Sequence, residues 1–305
     1  MAKKKVLITG VCGLLGQNLV RMLAPDYDLT GVDILPRPGF FSGLSDYKLV
    51  DITHPDEVGE AVERAKPDLV INTAAITNVD ACETEKEKTD ALNHRAVRTL
   101  LKTCGKSAKF VQISSDYVFD GKSGPYADDA EPNPVSFYGI TKLRAEEAVQ
   151  EHSADHLIVR TMVLFGTAVS VRPDFIAWVR NSLSANREIS AVTDQVGNIT
   201  LASNLAANIG VLLNRNISGI VSLSGSDLLS RHAIAIEVAK RYGFNAALVR
   251  SAKTEDLKQA APRPLNSGFL LNRARTVPGV NLLTFQEQMK VYDDEQKSAD
   301  RDSDV

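Results

Sequence analysis

The chain is 305 residues long, 44% hydrophobic and 24% charged, with a formal net charge of −3. That balance gives no electrostatic case for nucleic acid, and the length suits one large α/β domain or a domain with a smaller partner. No apolar stretch is clean enough to span a bilayer, the start lacks a cleavage-like signal end, and three scattered cysteines (Cys12, Cys82, Cys104) fit a reduced cytoplasmic protein without a metal site.

In chain order, "KVLITG" reads as a first strand and "LLGQNLVRMLA" as a helix stopped near Pro25. "YDLTGVDI" is a second strand, "PDEVGEAVERAK" a helix opened by Pro55, and "PDLVINTAA" a third strand. "ETEKEKTDALNHRAVRTLLKTCGK" reads as one long helix with a charged outer face. "KFVQISS" is the fourth strand, "PVSFYGITKLRAEEAVQEH" the next helix and "HLIVRTM" the fifth strand. Alternating strands and helices predict a doubly wound parallel sheet, the Rossmann architecture. After Gly166 the rhythm loosens, and the C-terminal half is expected to supply a smaller α/β substrate-binding cap. The expected division is 1–165 plus about 188–225 for the dinucleotide-binding domain and about 166–187 plus 226–290 for the cap. The charged end, 291–305, carries no evident apolar face and is expected to be disordered. Trp178, on a predicted helix, reads as core. His152 and His156 are four apart, but a helix end falls between them, so no metal is expected there.

"ITGVCGLLG" places Gly10, Gly13 and Gly16 between the first strand and its helix. Glycines let the backbone turn sharply and approach a pyrophosphate, while the helix N-terminus offers free N–H groups and a positive dipole end. Cys12, Leu14 and Leu15 belong to the same turn. The second strand ends at Asp33, a carboxylate able to accept ribose hydroxyls and repel a 2′-phosphate; Arg37 nearby could offset that repulsion. NAD(H) is therefore favoured and NADP(H) stays open. Asp51 with Ile52 is placed to meet the adenine, though Asp51 also reads as a cap-region carboxylate. Ala74, Ala75 and Ile76 follow the third strand, where small side chains leave room for a cofactor.

Tyr138 and Lys142 are four apart on a predicted helix and so share a face. The preceding strand ends with Ser114 and Ser115. A hydride arriving at a carbonyl leaves an alkoxide that needs a proton, which Tyr138 can give. The ammonium of Lys142 is expected to lower the phenol's pKa toward neutrality, and Ser115 to hold the carbonyl oxygen.

With these residues in view, the chain resembles the extended short-chain dehydrogenase/reductases, and within them the dTDP-4-dehydrorhamnose reductase family. The matching stretches are "ITGVCGLLGQNL", "VINTAAITNVDACE", "ISSDYVFDGKSGPYADDAEPNPVSFYGITKLRAEE", "VTDQVGNIT" and "APRPLNSGFL". The resemblance implies reduction of a 4-keto nucleotide sugar, with Ser115, Tyr138 and Lys142 as the catalytic set. It implies that Asp116 and Tyr117 lie near the sugar and that Arg263 approaches the nucleotide diphosphate. A homodimer is left open by it. Two departures stand out: "RTMV" ends with Val163 where the family commonly carries tryptophan, and "DQVGNIT" lacks the family's proline. Two alternatives stay open, a sugar-nucleotide epimerase or dehydratase and a catalytically silent NAD(P)-binding regulatory subunit.

Overall fold

A computed structural model describes residues 2–36, 42–152 and 155–303. Its centre is a seven-stranded sheet in which every neighbouring pair is parallel. In chain order the strands are β1 (Lys5–Thr9), β2 (Asp28–Asp33), β3 (Asp46–Leu49), β4 (Leu69–Asn72), β5 (Lys109–Ser115), β6 (His156–Thr161) and the edge strand Gly219–Ser222. Their spatial order is β3-β2-β1-β4-β5-β6 and then the edge strand. The chain therefore reverses its direction of travel between β1 and β4, and ligands of open α/β sheets sit outside the strand ends at such a point. Strands buried on both faces are apolar in their inner parts, as Leu69–Ile71 of β4 and Leu157–Val159 of β6 are.

Helices cover both faces. Leu14–Leu23 and Ala202–Asn214 pack together on one side, over Val6, Ile8, Ile71 and Val159. Pro55–Ala65, Ala96–Cys104 and Phe137–His152 cover the other, over Leu7, Val70, Phe110 and Ile158. Among the described residues no helix is long and apolar enough to cross a membrane.

Three parts of the fold differ from the sequence reading. The single long helix is broken into Val79–Thr84, Lys86–Asp90, a π-helical turn at Ala91–Arg95 and Ala96–Cys104. The turn serves Asn93, whose buried amide bonds both the N–H and the carbonyl of Ile76 and reaches Thr141 on the Tyr138 helix. Such π turns often occur at functional sites.

Residues 188–201, expected with the sheet, pack with the cap. Ile189–Val192 pairs with Val249–Ala252, and Val196–Asn198 with Leu228–Ser230. Ile189, Ala191 and Ile199 enter a separate core with the helices Phe175–Ser184 and Arg231–Tyr242. Helix Ala202–Asn214 and the edge strand then return to the sheet.

The end of the chain is helical rather than disordered: one helix spans Phe285–Ser303, and residues 304–305 lie outside the described residues. Phe285, Met289 and Tyr292 are buried in the cap core, and Gln296 Nε2 donates to Thr167 Oγ1 at 2.8 Å. These four positions form one helical stripe among acidic neighbours. Trp178 is 41% exposed against Phe175, so it is not core.

Candidate active site

A cleft of about 770 Å³ opens at the C-terminal ends of the central strands. Its glycine-rich end is fixed by close backbone approach. Gly10 has φ +66°, and a Cβ there would lie 2.7 Å from the backbone of Ala74. A Cβ on Gly16 would lie 2.4 Å from the Gly10 carbonyl. Helix Leu14–Leu23 starts at Gly13 with no side-chain cap and no acidic residue in its first turn. Its first N–H groups are thus left for an anion. Gln17 clamps a covering segment over this turn, bonding Cys12 O, Val169 O and Val169 N at 2.7, 2.8 and 2.9 Å. Ser114 Oγ and Thr161 Oγ1 are buried, belong to cleft-lining residues and have no hydrogen-bond partner among the described residues. These features fit a dinucleotide lying from the glycine turn across the strand ends.

Cys12, Leu14 and Leu15 line the cleft with the glycines, as do Ile52, Ala74 and Ala75. Asp33 lines it at the end of β2, its carboxylate accepting from Cys12 N at 2.9 Å and Leu35 N at 3.1 Å. Arg37 lies outside the described residues. Asp51 and Ile76, both nominated from sequence, are not among the lining residues. Asp51 Oδ1 accepts from Thr53 N and Oγ1 at 2.9 and 2.7 Å, a local turn. Ile76 is held by Asn93, and Thr77 and Val79 line the cleft instead.

At the other end, β5 brings Ser115 up to the helix Phe137–His152, whose inward face carries Tyr138 and Lys142. All three line the cleft and are buried. Ser115 Oγ accepts from Tyr117 N at 3.2 Å and donates to Asp116 Oδ1 at 2.9 Å. Ser267 Oγ, from the cap, donates to Asp116 Oδ2 at 2.6 Å. Burial among these groups raises the Asp116 pKa above the usual carboxylate range. The Tyr117 ring meets Tyr138 edge-on at 5.4 Å. Lys142 Nζ donates to the Ile113 carbonyl at 2.6 Å.

The electrostatics differ from the sequence reading. Burial pushes the Tyr138 phenol up, outweighing the lowering effect of the nearby Ser115 hydroxyl. Burial also brings the Lys142 amine down to about 8, with Glu146 pulling the other way. Spacing revealed that the two groups are neighbours; it could not reveal that desolvation dominates both. Behind them, Arg160 and Glu146 form a fully buried two-bond ion pair at 3.0 and 2.6 Å that ties the helix to β6.

Val163 lines the cleft with φ +44°, a left-handed conformation uncommon for a β-branched residue. Arg263 does not line it: its guanidinium bonds Asp80 Oδ2 at 2.8 Å and the Ala261 carbonyl at 2.9 Å. This pair closes the strap around residue 263 onto the helix Val79–Thr84. Sequence reasoning missed the segment 170–174 and Arg231, both of which line the cleft. Arg231 follows Ser230, which caps its helix through Ala233 N at 3.1 Å. In the sequence, "SR" at a helix start reads as a cap and a solvated cation, and no local signal marks it.

Comparison with known proteins places this geometry. The family described as RmlD substrate binding domain matches residues 4–297. The chain is 33% identical over 287 residues to the probable low-salt glycan biosynthesis reductase Agl14 of Haloferax volcanii, covering 92% of this chain and 95% of that protein. It is 31% identical over 297 residues to the spore coat polysaccharide biosynthesis protein SpsK of Bacillus subtilis, covering 97% and 99%. Among solved structures, the dTDP-4-dehydrorhamnose reductase of Bacillus anthracis in complex with NADP superposes with a TM-score of 0.87 at 29% identity, covering 96% of this chain and 100% of that one.

Proposed function

The chain belongs to the RmlD substrate binding domain family, and from that premise we propose that it reduces a 4-keto nucleotide sugar with NAD(P)H, in the manner of a dTDP-4-dehydrorhamnose reductase. The observation that carries this reading is the meeting of Ser115, Tyr138 and Lys142 in the same cleft as an uncapped glycine turn.

Bound along the cleft, a reduced nicotinamide supplies the hydride. The N–H groups at the start of helix Leu14–Leu23 hold its diphosphate, and Asp33 accepts from its ribose hydroxyls. Lys142, anchored on Ile113 O, holds the second ribose. The substrate carbonyl oxygen rests between Ser115 Oγ and Tyr138 Oη. As negative charge develops on that oxygen, Tyr138 gives it the phenolic proton, and the C=O becomes CH–OH. The phenol is protonated at neutral pH, and the charge of the Lys142 ammonium offsets the weaker acidity that burial gives it. The tyrosinate left behind is stabilised by the Lys142 ammonium and recovers a proton from solvent.

Asp33 supports NAD(H) as the preferred cofactor, since a carboxylate there repels a 2′-phosphate; NADP(H) is the alternative. The charge balance and the separated cysteines support a cytoplasmic location. An epimerase or dehydratase needs further acid–base groups beside the sugar ring. Asp116, the nearest acid, has both oxygens engaged by Ser115 and Ser267, which weighs against that reading. A silent regulatory subunit has no need of the assembled set. The test is oxidation of NADH and NADPH against a panel of 4-keto nucleotide sugars. Turnover on one or more is expected; cofactor binding without turnover on any would transfer the reading to the regulatory one.

A further inference from the structure

Arg231 has no role in the proton transfer, yet it stands in the cleft. Its backbone is fixed twice, by the Ser230 cap and by its own N–H on the Gln195 carbonyl at 3.3 Å. Its guanidinium lies 5.7 Å from the centre of the Phe175 ring. Among the described residues it has no side-chain hydrogen bond and no ion pair. Asp116, whose charge it feels, has both oxygens engaged by serine hydroxyls. Asp174, also in the cleft, caps the helix Phe175–Ser184 through Ala177 N and bonds Gly166 N.

The other cations of the cleft are spent or outside. Lys142 bonds Ile113 O, and Arg172 is exposed at the mouth. Arg263, which sequence resemblance nominated for the diphosphate, is committed to Asp80 and Ala261 O. The guanidinium is half-buried at the cleft wall without a partner among the described residues, and five donors in a fixed fork match an oxyanion. A ring face beneath the cation orients it without satisfying those donors.

We infer that Arg231 is the side chain that receives an oxyanion of the substrate, supplied by the nucleotide diphosphate or by a carboxylate on the sugar. The inference rests on the nucleotide-sugar reading above. It assigns to Arg231 the anion contact that the sequence assigned to Arg263.

The test is titration calorimetry on the full chain saturated with NADH, using dTDP, UDP, UDP-glucose and UDP-glucuronate. Arg231→Met is expected to weaken binding about tenfold, the scale of one charge-assisted hydrogen bond. Arg231→Lys should recover part of the loss, and unchanged NADH affinity in both variants shows that the fold and cofactor end are intact. Weaker dTDP and UDP binding would make the diphosphate the source. Loss only of a preference for UDP-glucuronate over UDP-glucose would make the carboxylate the source. If Arg231→Met binds all four ligands as the unaltered protein does, the inference is overturned while the nucleotide-sugar reading stands. If the unaltered protein binds none of them, that reading fails first and takes the inference with it.

Discussion

Lys142 offers a prediction whose sign follows from burial. The residue is 4% exposed, and burial lowers the amine's pKa from 10.5 to about 8. The folded protein therefore releases this proton near pH 8, whereas the unfolded chain keeps it to about pH 10.5. Between those values the unfolded state binds more protons, so stability attributable to this group rises with pH. Below pH 8 the buried ammonium costs the fold about 3 kcal/mol, from ~1.4 kcal/mol per pH step. Lys142→Met removes the titration and keeps the packing of the stem. Urea denaturation of both proteins at intervals from pH 7 to 10.5 measures the difference. The unaltered protein should gain about 3 kcal/mol relative to Lys142→Met across that window. Its kcat should fall over the same range as the ammonium proposed to stabilise the tyrosinate is lost. Parallel stability curves for the two proteins would refute the claim that Lys142 is a desolvated charge.

Further tests address the cofactor end and the chain end. Asp33→Ser removes the carboxylate proposed to face the ribose, and the ratio of NADPH to NADH affinity should rise about tenfold or more, measured by fluorescence titration. An unchanged ratio would place the discrimination elsewhere. Tyr292→Ala empties a site 3% exposed and packed edge-on to Phe165 at 5.6 Å. It should cost about 3–5 kcal/mol in chemical denaturation; a cost near zero would return the last helix to a dispensable tail.

Much of the fold was legible because parallel strands buried on both faces read as continuous apolar runs between amphipathic helices. The glycine turn, Asp33, Ser115, Tyr138 and Lys142 were legible for a related reason: each sits at a strand end or on a helix face that local spacing defines. What escaped depends on contacts between distant segments. Ile189–Val192 finds its partner about sixty residues away in Val249–Ala252, so its strand signal could not say which sheet it joins. The stripe Phe285, Met289, Tyr292 and Gln296 is diluted by acidic neighbours and becomes visible only against the cap core. Asn93 forces a π turn through hydrogen bonds to a loop seventeen residues earlier. Arg231 enters the cleft because the cap folds over it, and Arg263 leaves it because Asp80 is there to take the charge.

The account stands most directly on Tyr138. The decisive measurement is the single-turnover rate of Tyr138→Phe on a 4-keto nucleotide sugar that the unaltered protein reduces, with the NADH dissociation constant taken on the same sample. The expected rate is lower by about 10²- to 10⁴-fold, the usual worth of a general acid, with NADH affinity unchanged. A variant that keeps the full rate would contradict it, because the proton would then come from a group other than the buried phenol.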